Sequence, residues 1–279
     1  MLKMVDVYSG SPRSYATQSG VDVIMVKATQ GTSYVNPYCD IDYQAAKKKG
    51  KLLGFYHYCG GGSPEAEAQY FYKNTKNYVG EAVPAVDWEA GQNSSWGNTN
   101  WVKRFVTEFH RLSSVWCLIY VQESAINQVA NCAKDCGLWV AKYPSMNWKS
   151  WNVPNMRVNT YPWSTYTVWQ FTGDNMDRNL VNTTRDGWKK LAKGSNTKAK
   201  KSTWKKKSGT FILGQALEVH KSPHIESDAI AKLKKGDIIK FDATLQGPKR
   251  LWLRQPRANG TYGYIVARDK YNKPLGKIK

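Results

Sequence analysis

Val83-Pro84-Ala85-Val86-Asp87-Trp88-Glu89 is a short apolar, β-prone run that ends in two acids separated by one residue. Neighbouring stretches have the same character: Met4–Val7, Val23–Ala28, Leu52–His57, Val115–Val121, Leu138–Ala141, Met156–Thr160 and Thr167–Phe171. Helix-like segments fall between several of them, at Asp40–Lys49, Pro64–Tyr78, Thr99–Leu112 and Glu123–Ala133. Short buried strands alternating with helices predict an α/β fold with a parallel sheet and right-handed crossovers. Eight strands in about 190 residues predict an irregular (β/α) barrel, since a full barrel takes about 250 and the late connections are too short for helices.

In a parallel barrel, the C-terminal strand ends form the working face. Asp6 ends the first predicted strand, Asp87 and Glu89 end the fourth, and Asp177 follows the eighth by a short loop. Positions i and i+2 of a strand face one side, about 6.6–6.8 Å apart along the chain, so Asp87 and Glu89 would share a surface. Flanked by Val83, Pro84, Val86 and Trp88, they would be poorly solvated, and burial or like-charge repulsion raises the pKa of one of them. A protonated carboxyl beside an ionised one is what glycosidic bond cleavage requires. Ten of the 12 tryptophans lie before residue 190, and sugar rings stack on such side chains.

The net charge of +20 is unevenly spread. Residues 1–192 carry +5, residues 193–207 hold seven Lys and no acid, and residues 208–279 carry +8. The Lys-rich 193–207 stretch reads as a linker between a catalytic domain, 1–192, and a small domain, 208–279. In the latter, Ala216–His220, Ile238–Leu245, Leu251–Gln255 and Tyr262–Ala267 are strand-like, separated by turn residues, which predicts a small all-β barrel. Such a basic region suits a polyanion, and phosphate-rich wall polymers are one. Nucleic acid is not expected as a partner, because the chain carries no nucleic-acid module signature. Membrane insertion is not expected either, since no segment approaches about 18 apolar residues.

The five cysteines, Cys39, Cys59, Cys117, Cys132 and Cys136, are odd in number and read as buried free thiols rather than a disulfide framework. With four scattered histidines they make no metal-ligand or Cys/His nucleophile spacing, so neither a metal nor any other cofactor is expected. The N-terminus has no export-signal pattern, so the chain is expected to stay in the cytoplasm of the cell that makes it unless another agent releases it.

Several pieces, in order, are similar to a known family. They are Val5-Asp6-Val7-Tyr8-Ser9, Lys27-Ala28-Thr29-Gln30-Gly31 continuing to Pro37, Gly54-Phe55-Tyr56-His57-Tyr58, Asp87-Trp88-Glu89, Leu138-Trp139-Val140-Ala141-Lys142-Tyr143, and Trp169-Gln170-Phe171-Thr172 before Asp177. Residues 1–190 resemble the glycoside hydrolase family 25 lysozymes, the muramidases of phage endolysins and bacterial autolysins. The resemblance implies hydrolysis of the β-1,4 bond between N-acetylmuramic acid and N-acetylglucosamine in peptidoglycan. It implies Glu89 as general acid, with Asp6, Asp87 and Asp177 sharing the cleft. Asp87 would orient the substrate's 2-acetamido group, or Asp177 or Asp6 would serve as nucleophile or base. It also implies substrate contacts at Lys27, Tyr56, His57, Tyr58, Trp139, Tyr143, Trp169 and Gln170. Gln30 departs from the Glu often found after Lys-Ala-Thr, which removes a charge beside the site. In the C-terminal segment Gly236-Asp237-Ile238-Ile239, Leu251-Trp252-Leu253-Arg254 and Tyr262-Gly263-Tyr264-Ile265 resemble a bacterial SH3-type wall-binding module. That implies Trp252, Tyr262 and Tyr264 as contacts for stem or cross-bridge peptides.

Overall fold

The computed structural model describes residues 1–153, 155–194, 204–225, 227–247 and 250–279. The chain forms two compact units, Met1–Thr197 and Lys198–Lys279.

In the first unit, strands β1 (Leu2–Val7), β2 (Val23–Gln30), β3 (Tyr34–Val35), β4 (Leu52–Tyr58), β5 (Val83–Trp88), β6 (Leu118–Gln122), β7 (Leu138–Ala141), β8 (Val168–Thr172) and β9 (Asp177–Val181) make one sheet. Its order, β1-β9-β8-β7-β6-β5-β4-β2, closes through pairing of β1 with β2, and β3 is a short addition to β2. Seven barrel strands run parallel, whereas β9 is antiparallel to both of its neighbours. This corrects the expected strand at Met156–Thr160. The polar groups there are taken by side chains instead of a ladder: Asn159 N donates to Glu123 Oε1 and Arg157 O accepts from Lys142 Nζ.

Helices α1 (Cys39–Lys48), α2 (Pro64–Thr75) and α3 (Trp101–Ser113) cover the barrel, and α4 (Arg185–Lys193) follows the last strand. Ser63 caps α2 by accepting from Ala66 N, with Pro64 in the first turn, where its missing N–H costs nothing. Thr184 caps α4 in the same way through Gly187 N. The expected helix at Glu123–Ala133 is instead two 3-10 turns, Glu123–Gln128 and Ala130–Cys132. Val129 at φ −120° interrupts them, and neither has a side-chain cap.

Strand alternation sorts side chains into two layers. Val5, Val7, Phe55, Val86, Trp88, Val121 and Phe171 point outward to the helices, packing with Phe71, Phe105 and Phe109. Met4, Met25, Tyr56, Ala85, Tyr120, Trp139 and Val168 fill the lumen. Trp188 of α4 joins that inner cluster and donates from Nε1 to Leu53 O near the start of β4. The lumen is thus filled at the N-terminal strand ends and left for polar groups at the other. Among the described residues no helix is long and apolar enough to cross a membrane.

The second unit is an all-β, seven-stranded antiparallel sheet. Its strands are β10 (Lys205–Leu213), β11 (Leu217–His220), β12 (Ala229–Leu233), β13 (Ile238–Gln246), β14 (Leu251–Pro256), β15 (Tyr262–Arg268) and β16 (Gly276–Ile278). Phe211, Val219, Phe241, Leu253 and Ile265 form its main core. Of the expected 193–207 linker, 195–203 lie outside the described residues, while Lys193 ends α4 and Lys205–Lys207 open β10. Trp252, expected as a wall contact, is core: it is 4% exposed, packs with Leu245 and Val266, and meets His220 edge-on. Both faces of β14 are covered, which a lone Trp in a short motif does not reveal.

Candidate active site

The lumen opens at the C-terminal strand ends into a cleft of about 290 Å³. Asp6, Asp87, Glu89 and Asp177 all line it. Three come from the ends of parallel strands. Asp177 arrives differently: it is the first residue of the antiparallel β9, in register with Asp6, so the start of that strand lies where its neighbours end. Two larger hollows, of about 430 and 420 Å³, lie elsewhere on the unit. Their one carboxylate is Glu123, already paired with Lys142 at 2.8 Å, so they lack acid–base machinery.

Asp6 sits at the centre of a hydrogen-bond network. Its Oδ1 accepts from Asn179 Nδ2 at 2.7 Å and from Gln170 Nε2 at 3.1 Å. Trp139 Nε1 fixes the Asn179 amide at 2.7 Å, and the hydroxyls of Tyr120 and Tyr143 fix Gln170 through Oε1. By contrast, Asp87 Oδ1 is buried with no hydrogen-bond partner among the described residues. A buried carboxylate oxygen without a donor is costly, and this one is an open acceptor in the wall of the cleft.

All four acids are held above their usual range. Burial raises Asp6 to about 7, with repulsion from Glu89 adding and the Asn179 and Gln170 hydrogen bonds opposing. Burial and then the Asp6 and Glu89 charges raise Asp177 to about 9. Asp87 is pushed well up by burial and by Glu89. Glu89 is raised by burial, opposed by the neighbouring Tyr120 hydroxyl and the charge of Lys27. Lys27 is the cation facing them. Its own pKa is lowered by burial, and its ammonium donates to Gln30 Oε1 at 2.7 Å and lies 4.4 Å from the Tyr58 ring centroid. A neutral Gln30 leaves the full Lys27 charge to the acids. The cluster therefore holds at least one proton near neutrality, which general-acid chemistry at a glycosidic oxygen needs.

Of the expected contacts, Lys27, Tyr56, Tyr58, Trp139, Tyr143 and Gln170 line the cleft. His57 does not: it is fully buried on the outward face of β4, stacked on Phe105 and bonded to Glu67. Trp169 does not either, since it points outward from β8 and donates to Lys142 O at 2.7 Å. The cause is strand alternation: once Tyr56 and Gln170 face inward, their chain neighbours His57 and Trp169 cannot. Tyr120 and Asn179 belong to the site and were missed, though Tyr120 could have been found two residues beyond the inward Leu118. Among the described residues no group of His, Cys, Asp and Glu is arranged to hold a metal ion.

The chain matches the family model for glycosyl hydrolases family 25 over residues 5–179. It is similar to an autolytic lysozyme of Clostridium acetobutylicum, 29% identical over 51% of this chain and 45% of that protein, so it spans under half of that relative's length. It is also similar to an N,O-diacetylmuramidase of Chalaropsis sp, 24% identical over 64% of this chain and 92% of that protein. In structure it is similar to a muramidase of Trichobolus zukalii, with a TM-score of 0.56, 25% identity, and coverage of 70% of this chain and all of that one. The matched span takes in well over half of the sequence and all four acids of the cleft, and the chain belongs to the glycosyl hydrolases of family 25.

Proposed function

We propose that this glycosidase is a muramidase, cleaving peptidoglycan between N-acetylmuramic acid and N-acetylglucosamine. The observation that carries the reading is the quartet of buried, proton-retaining carboxyls in one cleft, with Lys27 and aromatic rings around it. Glu89, elevated but facing Lys27 and Tyr120, protonates the leaving oxygen as the bond to C1 breaks. The free Oδ1 of Asp87 accepts the N–H of the 2-acetamido group, whose carbonyl oxygen then closes on C1. Water, deprotonated by Glu89, opens the resulting ring. The unpartnered Oδ1 favours this route over direct attack by Asp6, whose Oδ1 already accepts two hydrogen bonds.

The second unit serves as a wall-binding module of the SH3 type. Arg254 pairs with both oxygens of Asp242 and lies 4.4 Å from the Tyr262 ring centroid and 5.6 Å from that of Trp204, with Tyr264 beside Trp204. Such a platform suits stem or cross-bridge peptides, and the surrounding lysines suit anionic wall polymers. The role is that of an endolysin held in the host cytoplasm and released to the wall, which five free buried cysteines fit, as a fold made under reducing conditions. Purified peptidoglycan treated with the chain should release reducing sugar ends and no new amino groups. Release of amino groups instead would refute the muramidase reading.

A further inference from the structure

His57 and Glu67 form a buried pair that the chemistry of the cleft does not use. Their side chains are 0% and 1% exposed, and His57 Nε2 lies 3.0 Å from Glu67 Oε2. Thr29 Oγ1 holds the other ring nitrogen at 2.8 Å. A carboxylate this deep is stable only if its lone pairs are used, and Glu67 also accepts from Gly60 N at 2.9 Å and Gly62 N at 2.7 Å. What the pair holds is therefore the segment Gly60–Gly62, immediately after β4.

That segment is in backbone contact with the loop behind Glu89. Ser94 N donates to Gly60 O at 3.2 Å, and the hydroxyls of Ser94 and Ser95 donate to Gly61 O at 3.0 and 2.6 Å. Gly61 has φ +83°, and a Cβ there would lie 2.4 Å from Ser94 N, so no larger residue fits between the two loops. Asn93 completes the path: its Oδ1 accepts from Ser95 N at 3.1 Å and its Nδ2 donates to Glu89 O at 2.9 Å. Glu89 lies one residue beyond β5, whose ladder to β6 ends at Trp88. Its carbonyl is thus held by this loop, beyond the last rung of the sheet.

We infer that His57 and Glu67 are positioning residues for Glu89, acting through Gly60–Gly62, Ser94, Ser95 and Asn93. The inference rests on the reading of Glu89 as the general acid. A displacement of about 1 Å at a reacting group costs on the order of a hundredfold in rate. Glu67→Gln turns one of the two acceptor oxygens into an NH2 that cannot accept, so either Gly62 N or the pair Gly60 N and His57 Nε2 loses its acceptor.

The test uses the full chain on soluble peptidoglycan oligomers, with Glu67→Gln and the double variant Ser94→Ala/Ser95→Ala. We expect kcat to fall about tenfold to a hundredfold while KM stays within about twofold, with melting of the double variant close to that of the parent. Combining all three changes should cost little more than the worse set alone, because both cut one path. A folded Glu67→Gln with kcat within about twofold of the parent, or a rise in KM at unchanged kcat, overturns the inference. Should Glu67→Gln fail to fold, the serine variant decides by the same criteria, since it deletes only two hydroxyls near the surface. Glu89→Gln run alongside keeps the readings apart. If it stays active, the general-acid assignment fails; if it is inactive while both positioning variants are fully active, only the inference fails.

Discussion

Asp6→Asn should make the barrel more stable, and the gain should depend on pH. The asparagine keeps an oxygen where Asn179 and Gln170 now donate to Oδ1, so the substitution removes charge without unmaking those bonds. A carboxyl whose folded pKa is raised holds its proton more tightly folded than unfolded, so ionisation is a penalty on the folded state. That penalty is absent below 3.8, grows as pH rises, and is complete above about 7. The displacement from 3.8 to about 7 corresponds to about 4 kcal/mol, at 1.36 kcal/mol per decade. Part of it is repulsion from Glu89, which relaxes if Glu89 takes up a proton instead, so the expected gain at pH 8 is about 2–4 kcal/mol. For a unit of this size that is a rise of roughly 4–16 °C in melting temperature. Thermal melts of both chains at pH 4, 6 and 8 measure it. An equal gain at pH 4 and pH 8, or none at pH 8, would show that buried charge is not what strains the site.

Glu89→Gln should lose about 10²–10⁴-fold in turnover of soluble glycan while still folding, measured as reducing-end release. Gly173→Ala places a Cβ 3.0 Å from Asp177 Oδ1 and 3.1 Å from the Tyr143 hydroxyl, so activity should drop while the fold, checked by circular dichroism, stays. Trp252→Ala should cost the second unit about 3–5 kcal/mol in urea unfolding, as expected for an emptied core site, and Tyr262→Ala, whose side chain is 41% exposed, should cost almost none. In wall-sedimentation assays up to about 1 M salt, Tyr262→Ala should remove the binding that survives screening, leaving only the charge-driven part that salt abolishes.

The acids were legible because their information is local. Asp87 and Glu89 need only a strand and its two-residue period, and Asp6 needs only the end of another. The same period, applied to Tyr56-His57-Tyr58 and Trp169-Gln170, would have excluded His57 and Trp169 from the cleft, because adjacent residues cannot both face the lumen. Those two assignments came from family likeness, which marks a motif without saying which way each side chain points. Trp252 shows a different limit. Whether an aromatic on a small sheet is core or contact depends on what covers the second face, here Trp204, Tyr264 and Leu275, all distant in sequence.

The antiparallel β9 was illegible for a physical reason that also explains the site. Asp177-Arg178-Asn179-Leu180-Val181 is short and opens on three polar residues, too little apolar character to mark a buried strand. The reason is that, of its inward positions, Asp177 and Asn179 serve the acid network and only Val181 packs in the lumen. Running antiparallel, it brings Asp177 to the rim in register with Asp6, and two residues deeper it supplies Asn179, whose amide holds Asp6 and is itself held by Trp139. A parallel strand in that place would present its C-terminal end at the rim and send its first residue to the far end of the barrel. The one antiparallel strand of the barrel therefore places both Asp177 and the amide that orients Asp6. Weak sequence signal at β9 and strong function there have one origin: its polar lumen-facing groups are accommodated only within the network they complete.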